Sequence, residues 1–135
     1  MMKWLLLSAL LAAPSIAYAQ TPGEAGAICP AGTHNTMIRH SSILPGKWTT
    51  FEKAVADHQA WYAQHNSGTT TVIVRMLTLR AGAPVLSDSD AVTITQYDAK
   101  AQPPHDAGWD SFISEYKASS TIKEEMRVCM PAMAH

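Results

Sequence analysis

His58, Trp61, Tyr62 and His65 are spaced so that one helical face carries all four, with His58 and His65 two turns apart and Tyr62 between them. Such a group can set an imidazole for proton transfer beside an aromatic platform for a small ligand, which makes His58 and Tyr62 the candidate catalytic residues. The same residues can instead fill a helix–sheet core, with His65 at a helix C-terminus where the dipole favours a cation. His34 and His40 share a face of a strand pattern with Ile38 and Ser42. If that face lined a cavity, His40 would meet His58. His40, Trp61, Trp109 and Tyr116 are accordingly the candidate ligand-binding residues. A histidine pair without carboxylates at ligand spacing does not complete a metal set, so no metal site is expected. Arg39 and Arg75 on sheet positions would suit a ligand carboxylate, but an ion pair with Glu124 or Glu125 is the commoner use of such an arginine.

Other patterns exclude chemistry. There is no Gly-x-Ser-x-Gly elbow and no glycine-rich phosphate loop. Met126, Met130 and Met133 lack a companion cysteine or histidine cluster for copper. His105-Asp106 are adjacent and cannot form a general-base dyad, whereas Asp106 is well placed to cap a following helix.

The elements that must position these residues can be read from periodicity. Asn35–Leu44 alternates as a first strand ended by Pro45-Gly46. Lys47–Asn66 carries Trp48, Phe51, Val55, His58 and Tyr62 on one stripe, an amphipathic helix stopped by Asn66-Ser67-Gly68. Thr69–Leu79 is dense in Thr, Val and Ile, a second strand. Ala81–Pro84 is expected to break it, Ser87–Asp90 to turn, and Ala91–Tyr97 to form a third strand. Trp109, Phe112, Ile113 and Tyr116 mark a second helix, and Ile122–Val128 a last strand. This order predicts an α+β, ferredoxin-like βαββαβ domain with a four-stranded antiparallel sheet of order 4-1-3-2. In that order the first and last strands are antiparallel neighbours, so Cys29, before the first, and Cys129, at the end of the last, are predicted to bond.

The first nineteen residues read as a signal peptide: Lys3, the apolar run Trp4–Ala13, and a small-x-small site at Ala17-Tyr18-Ala19. A lead-in at 20–33, a single domain at 34–131 and a tail at 132–135 follow. Export places the two cysteines in a periplasmic or secreted, oxidising setting. Without Lys3, nine basic residues face eleven acidic ones, a net charge of −2 that gives no argument for nucleic acid or an anionic membrane surface. No further segment is apolar enough to span a bilayer, so no membrane association is expected after cleavage.

Leu44-Pro45-Gly46-Lys47-Trp48, Phe51 and the aromatic end of the first helix, followed by the strand Val92–Asp98 leading into Trp109-Asp110-Ser111-Phe112 and Tyr116, resemble the dimeric α+β barrel superfamily. That group includes antibiotic-biosynthesis monooxygenases, stress-responsive A/B barrel proteins and NIPSNAP-type proteins. The resemblance implies a homodimer joined through its sheets, with a cavity between each sheet and its helices. Its haem-degrading members carry a histidine on the second helix. Residues 109–122 here contain none, which argues against haem degradation; no cofactor is expected, with haem kept as the alternative. The expected function is a small-molecule-binding or structural module without catalysis. The alternative is a cofactor-independent or haem-dependent monooxygenase-like enzyme acting on a small aromatic substrate.

Overall fold

A computed structural model of the chain describes residues 28–133, so the expected signal peptide and most of the expected lead-in lie outside the described residues. Strand β1 (Thr33–Ile43) is followed by helix α1 (Trp48–Gln64), strands β2 (Thr70–Arg80) and β3 (Ala83–Gln96), helix α2 (Ala107–Ser119) and strand β4 (Ser120–Pro131). The sheet is antiparallel with order β2-β3-β1-β4, which is 4-1-3-2 counted from the other edge. Both helices cover one face, giving an α+β fold.

Helix α1 begins after a turn in which Gly46 takes a positive φ of 72° and the Lys47 N–H donates to the Leu44 carbonyl. Its end is a Schellman motif with Asn66 in the left-handed region. There the Ser67 N–H donates to the Tyr62 carbonyl and the Asn66 N–H to the Ala63 carbonyl. The α1 stripe then buries Phe51, Ala54, Val55, His58, Trp61 and Tyr62. Phe51 and Val55 pack with Ile43 and Ala91 of the sheet, whereas Trp61 and Tyr62 pack with Phe112 of α2.

Two expectations for the central hairpin are corrected. Residues Ala83–Asp90 belong to β3, and the chain reverses at Ala81-Gly82, both with positive φ, the two-residue turn that suits a twisted hairpin. Pro84 is tolerated because β1 pairs with β3 only from Asp90 onward, so the proline lies where β3 has β2 alone for a neighbour. Ser87–Asp90 is a bulge and not a turn. Arg75 pairs with Ala91 and Leu77 with Leu86, and the Ser87 hydroxyl accepts from the Ser89 and Asp90 N–H groups inside the gap.

On β1, Met37, Arg39, Ser41 and Ile43 face the helices, while Thr36, Ile38, His40 and Ser42 face away. Cys29 and Cys129 are bonded, with Cα atoms 5.5 Å apart, beside the rung that pairs Asn35 with Cys129. The bond fits an oxidising compartment.

Candidate functional site

Helix α2 leans on α1 far more than on β4. A cleft is left between α2 and the inner face of the sheet, in two lobes of about 320 and 310 Å³. Arg39, His58, Ile113 and Tyr116 line both lobes. Ser41, Thr93 and Ile122 extend the first, and Tyr62, Tyr97, Trp109 and Arg127 the second.

His58 stands at the junction. The α1 stripe turns it inward until only 6% of the residue is exposed, stacked on Phe112 at 4.4 Å with the edges of Trp109 and Tyr116 closing around it. Its Nδ1 lies 3.4 Å from the Tyr116 hydroxyl, beyond the range of a strong hydrogen bond. Its Nε2 is buried and meets no partner among the described residues. Burial, and then the charge of Arg39, push the His58 pKa down to about 4, so the ring is neutral near pH 7. Burial also raises the hydroxyl pKa values of Tyr62 and Tyr116, which therefore keep their protons.

Arg39 rises from β1 on the sheet side of the cleft. Its Nε donates to Glu125 Oε2 at 2.6 Å, the cross-strand ion pair that β1–β4 register permits. Arg75 takes a different role: its guanidinium lies 4.0 Å over the Trp48 ring and one nitrogen donates to the Ser87 carbonyl.

The remaining candidates divide. Trp109 lines the second lobe, stacked against His105 at 3.7 Å. Trp61 lines it too, but its indole N–H is committed to Asp106 Oδ1 at 2.7 Å. His65 does not reach the cleft lining. Its Nδ1 lies 2.8 Å from the Trp61 carbonyl and its Nε2 2.9 Å from Asp106 Oδ2, both within hydrogen-bond range. Asp106 thus caps α2 through the Trp109 N–H and also ties down the end of α1. These hydrogen bonds, the Trp109 backbone donor first and Trp61 next, lower its carboxyl pKa. Asp106→Ala is expected to lower the melting temperature clearly more than Asp110→Ala, which removes only first-turn charge. Thermal unfolding of the two variants measures the difference.

His40 is a correction. It lies on the outer face, where its Nε2 donates to Asp90 Oδ1 at 3.0 Å beside Lys123 at 3.1 Å. Strand alternation puts the whole sheet between it and His58, so the two do not meet. Ser89, then Lys123 and His40, hold the Asp90 carboxyl down at about 2. Met126 and Met130 also lie on the outer face, opposite Ile38 and His34. Among the described residues no group of three or more His, Cys, Asp or Glu side chains is gathered as a metal site would need. No helix among them is long and apolar enough to cross a membrane.

The cleft also contains residues that sequence reasoning passed over: Ile113, Lys117, Ile122 and Arg127. Arg127 pairs with Met37 across β1–β4 and lies 5.4 Å over the Tyr97 ring. It precedes Cys129 by two residues and so shares its strand face. No local sequence signal marks it, because its place in the cleft follows from the register of β4 against β1. No protein-family model matches this chain, and no curated protein matches it either.

Proposed function

We propose that the protein is a secreted or periplasmic homodimeric α+β barrel module that binds a small aromatic molecule in the cleft beneath α2 and has no catalysis of its own. The observation that carries this reading is the two-lobed cleft, whose walls are apolar and aromatic with a few polar groups converging from sheet and helix, the make-up of small-molecule sites. The alternative, a monooxygenase-like enzyme using His58 and Tyr62, is supported by the place of His58 where the lobes join. It is weakened by a His58 pKa of about 4, far from the neutral value at which a general base works best.

Dimerisation through the outer face is supported by Val72, Ile94, Ile38 and Met126, which are successive register partners across all four strands. Val72 is 41% and Met126 43% exposed, so the band is open in a single copy. Export is supported by the N-terminal sequence pattern and by the disulfide.

Native mass spectrometry of protein purified from its own source tests both parts. The expected spectrum is a dimer carrying a small-molecule adduct, with Val72→Asp reducing it to a monomer that still carries the adduct. A monomer at micromolar concentration with no adduct would overturn the reading.

A further inference from the structure

The cleft has a sign as well as a shape. Three cations line it, Arg39 and Arg127 from the sheet and Lys117 from α2, while no carboxylate side chain lines either lobe. The chain as a whole carries a net charge of −1, so this concentration of positive charge is local and not a general property of the surface.

Arg39 is the member that both lobes share. Its Nε bond to Glu125 fixes the guanidinium plane, and no acceptor among the described residues meets its two terminal nitrogens. A guanidinium held along one edge keeps its other edge as a flat, two-donor fork, and a carboxylate is the group that fits it with two parallel hydrogen bonds. On the sheet side its neighbours are polar, Ser41 and Thr93, while α2 lines the cleft with Ile113 and Tyr116, and Trp109 lines the second lobe. Arg127 adds charge in that same lobe, above Tyr97.

We propose that the ligand is an aromatic carboxylate, its carboxylate held by the terminal nitrogens of Arg39 and its ring directed toward Trp109. The inference rests on the small-molecule reading of the cleft given above and adds the anionic end. Glu125 is then a positioning residue: it orients the fork and leaves the ligand edge open.

The test is a calorimetric titration of the full mature chain with 1-naphthoate and with the neutral 1-naphthylmethanol, followed in parallel by tryptophan fluorescence. The carboxylate is expected to bind on the order of tenfold or more tighter, the range of a charge-assisted hydrogen-bond pair, and to quench tryptophan emission. Arg39→Gln is expected to remove the preference while leaving the alcohol's affinity in place. Arg39→Lys, which keeps the charge but not the fork, is expected to retain only part of it. Trp109→Phe should lose most of the quenching. Equal affinities for the two probes in the wild-type protein would overturn the carboxylate proposal and leave the small-molecule site standing. An Arg39→Gln variant that is folded by circular dichroism and keeps the full preference would also overturn it. Failure of both probes to bind at millimolar concentration would remove the small-molecule reading and this inference together.

Discussion

Reducing the Cys29–Cys129 bond is expected to lower the unfolding free energy by about 4–5 kcal/mol, the chain-entropy value for a loop of this length. The two residues are 100 apart in sequence, yet the segments they join are brought together by β1–β4 pairing in any case. The bond therefore adds few native contacts and mainly restricts the unfolded chain. Two results follow in urea. The midpoint falls on reduction, and the slope of the transition steepens because the reduced unfolded chain exposes more surface. The reduced protein below its midpoint keeps the circular dichroism of the oxidised form. A loss near 4 kcal/mol is a large share of the roughly 5–15 kcal/mol that holds most domains. Equal midpoints with and without reductant would show that the crosslink restricts nothing.

Acid is expected to destabilise the fold through His58. Its folded pKa is about 4, below the value of about 6.5 for a histidine in an unfolded chain. Between those limits the unfolded state binds the extra proton, so unfolding becomes easier as the pH falls. Stability due to this residue is complete above about pH 6.5 and declines to pH 4 by about 3 kcal/mol in total. The carboxyls of Asp57, Asp90 and Asp106 have pKa values lowered from 3.8, so their contributions are lost below this window. His58→Phe keeps a ring on Phe112, removes the unpartnered Nε2 and cannot take up a proton. At pH 7 it should be at least as stable as the wild type, and between pH 6.5 and 4 its melting temperature should fall far less. Parallel acid profiles for the two proteins would assign the sensitivity elsewhere.

Much of this architecture was legible because its signals are local. Three- and four-residue spacing gave α1 with its inward stripe, Asn66 gave its stop, and Asp106 gave the start of α2. Strand order and cysteine placement could be read separately and agreed. The first half of β3 was hidden because Pro84 and Ser87–Asp90 carry breaker chemistry. What admits them is non-local: β1 ends short of Pro84, and a bulge absorbs the serines and aspartates. The parity of β1 was equally hidden. Met37 and Ile43 lie on one side and Ile38 on the other, so hydrophobicity does not say which side the helices cover, and a shift of one residue moves His40 through the sheet. Of the candidate site, the aromatic residues of the helices and Arg39 on the sheet were visible, whereas Lys117 of α2 and Arg127 of β4 were not. Arg127 and the open edge of Arg39 become apparent only when β4 is laid in register against β1.

Strand β1 lies in the middle of the sheet although it precedes every other strand in the chain. Its rungs reach far downstream: His40 bonds Asp90 across 50 residues, and Arg39 bonds Glu125 across 86. As the chain is synthesised from its N-terminal end, β1 has neither neighbour until β3 and then β4 appear. Pairings this distant make folding slow, because loop closure must precede any gain from the contacts. A nascent chain of this topology therefore cannot complete its sheet until β4 has been made. The crosslink shares this dependence, because Cys129 lies near the end of β4 and the bond can close only after that last strand has been made.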